Sequence, residues 1–245
     1  MGRTAAALVI GNEILTGKVQ EENVQVLARE LFALGIRLLR VVVCVDDVEV
    51  IAGELAHLRQ HHDLVFTSGG VGPTHDDVTI QGVARGLGRR VVRSPELASL
   101  LRAHFGESVT ERHLRMADVP EGYQLVSSGS ARWPAVQVDG VYVLPGLPEV
   151  FRMKMPILRE SLAAQGGGFV SRAVYTLCDE AELAELLDRV VAAHPEVAIG
   201  SYPTWDDPDY RVKLTVDGAD LAAVTAAVVE LEAGIPAASL VRRAD

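Results

Sequence analysis

Aromatic residues make up only 5% of this 245-residue chain, with Trp at two positions and Phe and Tyr at five each. A core without aromatics must be filled by Val, Leu, Ile and Ala, as buried parallel strands are. Basic residues are also short, 23 Lys and Arg against 33 Asp and Glu, for a net charge of −10 and a pI near 5.2. That balance argues against non-specific nucleic-acid binding, which needs a basic face, but leaves room for small anionic ligands held at a local site. The two cysteines, Cys44 and Cys178, lie far apart in strand-like runs and form no CxxC pair or zinc spacing. They read as small buried hydrophobes in a reducing compartment. Long hydrophobic runs are missing too. The amino-terminal apolar run, residues 5–10, is too short for a signal peptide, and none reaches transmembrane length. A cytoplasmic protein with no nucleic-acid or membrane partner is expected.

What is present is ample apolar material, 49% of residues, enough for one large domain or a large and a small one. The most informative stretch is FTSGGVGPTHDDVT, Phe66 to Thr79. An apolar strand opens into Gly69, Gly70 and Gly72, then Thr74, Asp76 and Asp77, then a helix-like segment. A strand leading through glycines to a helix start is a common phosphate cradle, because glycine lets backbone N–H groups approach an anion. Two carboxylates beside a phosphate make sense when a divalent cation lies between them. The glycine spacing does not supply the dinucleotide-binding fingerprint GxGxxG. Residues 11–18 depart from a Walker A loop, with five residues between the glycines and Val19 where Ser or Thr would bind magnesium.

Periodicity predicts strands at 5–10, 36–45 and 64–67 alternating with helices at 23–34, 48–61 and 78–87, and a further helix from Ser94. Such alternation implies βαβ crossovers and a mainly parallel sheet covered on both faces. Asp139-Gly140 between two apolar runs, 135–138 and 141–144, predicts a hairpin. Pro145, Gly146 and Pro148 then lead into a helix at 150–163, and residues 166–168, all glycine, are the linker candidate. Beyond it the order strand, helix, strand, strand, helix predicts a small α/β unit.

These segments together resemble the molybdopterin-binding (MoaB/Mog-type) domain family. The similar branch is that of competence/damage-inducible protein A (CinA-like) and the amino-terminal half of some FAD synthetases. The carrying residues are Gly11 to Leu15 with Gly17, Asn23, Val45-Asp46-Asp47, the stretch from Gly69 to Thr79, and Leu144 to Glu149. Residues 199–203 resemble the branch's second region. The resemblance implies a three-layer α/β/α sandwich over residues 1–165 and a small carboxy-terminal α/β domain over 169–245. It also implies a site at the carboxyl ends of the strands, a small-molecule nucleotide or pterin phosphate as ligand, and self-association into a homo-oligomer. Some members of that branch cleave diphosphates such as ADP-ribose at this site, so the resemblance implies a divalent metal (magnesium, manganese or cobalt) and potassium. The branch's deamidase domain is not expected, since the chain ends at Asp245. The chain departs from the branch at Glu21-Glu22, and at residues 129–135, where Arg132 and Trp133 replace small residues beside the ligand.

The expected activity is a divalent-metal-dependent nucleotide pyrophosphatase. The alternatives are a molybdopterin-binding or adenylyl-transfer protein of molybdenum cofactor assembly, and a non-catalytic nucleotide-binding protein. Asp77 and Asp46, at different strand ends, could hold a metal or orient the attacking water, or could simply cap helices. Asp76 could be a second metal ligand or a first-turn charge. Glu13 could be a metal ligand or general base, or part of a polar turn. Gly69, Gly70, Gly72 and Thr74 are candidates for phosphate contact, with Thr74 also a possible cap. The resemblance adds Asn23 as a ligand-binding candidate. Pro145, Gly146 and Pro148 would shape a second loop on the same rim. Arg112, Arg115, Arg152 and Lys154 could neutralise phosphate, although such residues are usually solvated surface charges.

Overall fold

The computed structural model describes residues 3–129, 133–163 and 168–241. The chain divides into two compact units, Met1–Gly166 and Gly167–Asp245. The first runs β1 (Thr4–Ile10), α1 (Asn12–Leu15), α2 (Asn23–Ala33), β2 (Arg37–Cys44), α3 (Val48–His61), β3 (Leu64–Ser68), α4 (Thr79–Gly86), β4 (Val91–Arg93), α5 (Pro95–Phe105), α6 (Glu111–Arg115), β5 (Asp118–Pro120), β6 (Gln124–Val126), β7 (Ala135–Val138), β8 (Val141–Leu144) and α7 (Pro148–Ala163). The second runs β9 (Val170–Thr176), α8 (Glu180–Ala193), β10 (Ala198–Pro203), β11 (Val212–Gly218), α9 (Leu221–Gly234) and β12 (Leu240–Val241).

The large sheet has the order β2-β1-β3-β8-β7-β6. Its first four strands are parallel, and the hairpin β7–β8 and strand β6 extend it antiparallel. Side chains alternate across a strand, so each strand feeds two cores. Ala5, Ala7, Phe66, Tyr142 and Leu144 meet Leu27 and Leu31 of α2 and Phe151, Met155 and Leu158 of α7. Ala6, Leu8, Ile10, Val65 and Val141 meet Ile51, Leu55 and Leu58 of α3 and Val83 of α4. The result is the three-layer sandwich with a mainly parallel sheet. Small alanines on β1 let the helices on both faces approach closely, which offsets the shortage of large aromatics.

Local signals account for the element ends. Gly35, at φ 71°, closes α2, with its N–H bonded to the Phe32 carbonyl and that of Ile36 to Leu31. Ser94 accepts from the Leu97 N–H ahead of Pro95 at the start of α5. Asp139 and Gly140 both have positive φ, as the two-residue hairpin turn requires.

One expectation is corrected. The apolar run at 36–45 was expected to lie buried in a covered sheet. Instead β2 is the sheet's edge strand, and Leu39, Val41 and Val43 are exposed, while Cys44 is buried. Apolar composition cannot separate an edge from an interior strand, because strand order is set by the crossovers. Both cysteines are free and buried, and burial followed by the charges of Glu54 and Asp46 pushes the Cys44 thiol up to about 11.

The second unit is a four-stranded antiparallel sheet of order β10-β11-β9-β12. Its core joins Val174, Leu214 and Val216 to Leu183 and Val190 of α8 and Val224 and Leu231 of α9. The turn carrying Trp205, which is 97% exposed, is the connection between the paired strands β10 and β11. Gly168 lies just ahead of β9, and the other two linker glycines lie outside the described residues.

Candidate functional site

The carboxyl ends of β1, β3 and β8 meet in one seam. Gly69 has φ 106° and Gly70 φ 61°, backbone geometry that L side chains rarely adopt. A Cβ on Gly69 would stand 2.1 Å from the Ile10 carbonyl oxygen, so the chain passes β1 at a distance only glycine allows. The Gly69 N–H donates to the Leu144 carbonyl at 3.3 Å, and its own carbonyl accepts from the buried Thr79 hydroxyl at 2.8 Å. The Thr79 N–H donates to the Gly70 carbonyl at 3.0 Å. Asn23, buried at the start of α2, donates from Nδ2 to the Ser68 hydroxyl at 3.0 Å and to the Gly146 carbonyl at 2.7 Å. Its Oδ1 is buried with no hydrogen-bond partner among the described residues. Thr79 and Ser68, which the sequence reading did not single out, thus fasten the glycine loop. Their place inside the motif was the available signal.

Gly69 therefore differs from the expectation, because its amide is already spent on Leu144. Gly72 has no left-handed geometry. Its role is clearance, since a Cβ there would meet Asp77 Oδ2 at 2.7 Å.

Asp77 does not cap α4, and Asp46 does not cap α3. The residue before α4 is Val78, with no side-chain cap, and α3 is capped by Asp47, which accepts from the Glu49 and Val50 N–H groups. Asp77 Oδ2 accepts from the Thr74 N–H at 2.7 Å and from the Thr74 hydroxyl. Thr74 is therefore neither a cap nor an unengaged hydroxyl, and instead it aims Asp77. The Thr74 hydroxyl also holds the exposed Asp76 carboxyl below its usual range, with the Asp76 amide assisting. One hydroxyl proton cannot saturate two carboxylates, so lone pairs remain for a cation. Asp46 Oδ2 accepts from the Asn12 N–H at 2.8 Å. Glu13, exposed in α1, lies over Gly11, where a Cβ would meet its Oε1 at 2.6 Å.

Beside the glycine loop lies a cavity of about 520 Å³. Gly70, Gly72, Thr74, Asp77 and Pro145 are on its wall. Asp46, Glu13, Asn23, Asp76, Gly69, Gly146 and Pro148 are not among its lining residues. Pro148 instead opens α7 as its first residue. The opposite wall is apolar and aromatic, from Leu97, Leu101, His104 and Phe105 of α5 and from Trp133. The His104 and Trp133 rings meet edge to face at 5.5 Å. Trp133 thus forms a wall in the segment where the chain departs from the pattern of the family it resembles, and residues 130–132, including Arg132, lie outside the described residues. An apolar cavity of this size with a few polar groups at one end is the usual form of a small-molecule site, and the aromatic wall suits a planar ring.

Two of the four basic candidates move. Lys154 is buried on the cavity wall, donating to the Trp133 carbonyl at 2.9 Å and the Pro134 carbonyl at 2.7 Å. Burial pushes its ammonium down to about 8. On sequence it read as a surface charge, but its position on the inner face of α7 buries it. Arg152 is held by Glu22 at 3.0 Å. Arg115 lines the cavity, and with Arg112 it also borders a neighbouring cleft. Among the described residues no group of three His, Cys, Asp or Glu side chains is arranged to hold a metal, and no helix is long and apolar enough to cross a membrane.

Residues 6–164 match the family described as probable molybdopterin binding domain, and residues 168–244 match the FAD synthase, middle domain. A probable FAD synthase of Caenorhabditis elegans is 29% identical over 95% of this chain and 50% of its own length. A CinA-like protein of Gemmatimonas aurantiaca is 30% identical over 84% of this chain and 51% of its own length. The chain thus spans about half the length of these two relatives. Among solved structures, the protein CinA of Thermoplasma acidophilum, described as of unknown function, is 27% identical with a TM-score of 0.60, covering 65% of this chain and 98% of that one.

Proposed function

Because this chain belongs to the molybdopterin-binding domain family, we propose that its first unit binds a nucleotide or pterin phosphate in the cavity beside the glycine loop and hydrolyses a diphosphate bond. The observation that carries the reading is the cavity itself. An aromatic wall faces a glycine loop whose carboxylate, Asp77, is aimed by Thr74. ADP-ribose and flavin adenine dinucleotide are the substrates that fit a ring at one end and a diphosphate at the other. The FAD synthase and CinA-like relatives support the nucleotide class.

In this reading the ring lies against Trp133 and Phe105, and the diphosphate lies along the backbone at 70–72. The carboxylates of Asp77 and Asp76 fit a hard divalent cation of the magnesium, manganese or cobalt kind. Such an ion commonly takes one or two protein carboxylates and completes its shell with ligand phosphate and water. When bound, the cation, with potassium beside it, would neutralise charge on the diphosphate and lower the pKa of a water. Glu13, after β1, and Asp46, after β2, are the candidates to orient the attacking water. Lys154, with two of its three donors held by carbonyls, keeps the loop carrying Trp133 in place.

The test is AMP release from ADP-ribose and from flavin adenine dinucleotide, with each metal plus potassium, for wild type and Asp77→Asn. Metal-dependent release that falls about 100-fold or more in the variant is expected for loss of a group acting on the reacting centre. Wild type that releases nothing from any diphosphate would discard the hydrolase. A second reading, binding or adenylyl transfer of a pterin phosphate without hydrolysis, draws on the engagement of Asp77 by Thr74, which suits a positioning carboxylate as well as a metal ligand. Tight pterin-phosphate binding without diphosphate turnover would select it.

A further inference from the structure

We infer that the cleft between the loop at 73–75 and α6 is a second anion subsite, which takes a phosphate group of the ligand whose ring fills the adjoining cavity. The cleft encloses about 520 Å³ and is lined by Thr74, His75, Arg112, His113 and Arg115, together with Pro73 and Thr110. No carboxylate is among its lining residues. It adjoins the aromatic cavity, with Thr74, His75 and Arg115 lining both.

This cleft gathers two arginines without a carboxylate partner among the described residues, Arg112 and Arg115, on one wall. In a chain of net charge −10, Arg85, Arg89, Arg90, Arg93, Arg152 and Arg159 of the same unit all hold carboxylates. Among the described residues, neither Arg112 nor Arg115 pairs with a carboxylate, although acidic residues outnumber basic ones by 33 to 23. The acidic neighbours are engaged elsewhere. Glu111 and Asp118 both hold Arg93, and Asp77 faces Thr74. Asp76 stands 3.8 Å from His75, on a pair of exposed side chains.

Of the two histidines in the cleft, His113 is set up as a donor. His113 Nδ1 accepts the Thr110 backbone N–H at 3.1 Å, so the proton of the neutral ring sits on Nε2. Its ring stacks on Phe105 at 4.0 Å and 10°, and Phe105 itself lines the aromatic cavity. The ring wall and the basic cleft are thus built on one packed pair. Two guanidinium groups and an Nε2–H on a concave wall suit the planar, multi-acceptor surface of a phosphate.

The identity of the ligand rests on the reading that the neighbouring cavity holds its ring, so the test uses inorganic pyrophosphate, which has no ring. Pyrophosphate binding would be measured by calorimetry at about 0.1 M salt, where charges about 10 Å apart or more are largely screened. Wild type would be compared with Arg112→Gln, Arg115→Gln, the double variant, and Arg89→Gln as a charge-matched control on the same unit. The expected result is a loss of about tenfold for each single variant and about 100-fold for the double, with no change in the control. No binding by wild type, equal binding by the double variant, or an equal loss in the control would overturn the subsite. Arginine-dependent pyrophosphate binding in a protein that binds neither ADP-ribose nor flavin adenine dinucleotide would uphold it, and only the ring-cavity reading would fall.

Discussion

The wall of the cavity at residues 70–78 is part of a loop fastened by short-range bonds, Thr79 N–H to the Gly70 carbonyl and Thr74 to Asp77, whereas the facing wall is assembled from side chains of α5, Trp133 and α7. At the base of that loop the backbone comes so close to β1 that a side chain could not be added at Gly69, because Ile10 O would be 2.1 Å from it. On the second, ring packing between His104 and Trp133 and the Lys154 contacts to two carbonyls fix the shape. A wall fixed by backbone tolerates almost no substitution and aims its groups rigidly. A wall fixed by side chains can be recut to admit a different ring. This contrast matches where the chain departs from the pattern of the family it resembles, at Trp133 and not in the glycine motif.

Three substitutions would break or sharpen that contrast. The largest effect is expected at Gly69→Ala. Positive φ and the clash with Ile10 O together should cost more than about 3 kcal/mol, read by urea unfolding, and could prevent folding altogether. A loss below about 1 kcal/mol would show that the loop is not cinched as described.

Lys154→Met comes next. The folded pKa lies near 8, below the ordinary 10.5, so the unfolded chain binds more protons between those values. Wild-type stability should therefore rise as pH climbs from about 8 to 10.5, by on the order of 2 kcal/mol relative to Lys154→Met, which lacks the titration. Parallel pH profiles for the two proteins would refute the buried ammonium.

The smallest effect is expected at Trp133→Ala. Folding should change by about 1 kcal/mol, since the ring is only partly buried, while affinity for ADP-ribose should fall about tenfold through lost stacking. In a Trp205→Phe background Trp133 is the sole tryptophan, so its fluorescence reports ring binding directly. No quench on ligand addition would separate Trp133 from the ring.

Some of this was legible in the sequence because its cause is local. The alternation of apolar runs along β1, β3 and β8, the Asp139-Gly140 turn, the Ser94-Pro95 helix start and the closing Gly35 each depend on a few neighbouring residues. Residues 69–79 announced a loop of backbone close approach, because nothing else explains three glycines in four positions after a strand. The three-residue strands β4, β5 and β6 were not legible, since three residues carry no period. Nor was the edge position of β2.

By itself, then, the sequence determined the alternating layers, the place of the glycine loop and the acidic balance of the chain, because local backbone preference and apolar period act over a few residues. Only the tertiary structure decided that Thr74 aims Asp77, that Asp46 turns to Asn12, that Lys154 is buried, and that α5 and Trp133 face the glycine loop. The cavity gathers residues up to 84 positions apart, from Gly70 to Lys154, and such closures follow from how helices pack across a sheet and not from any one segment's propensity.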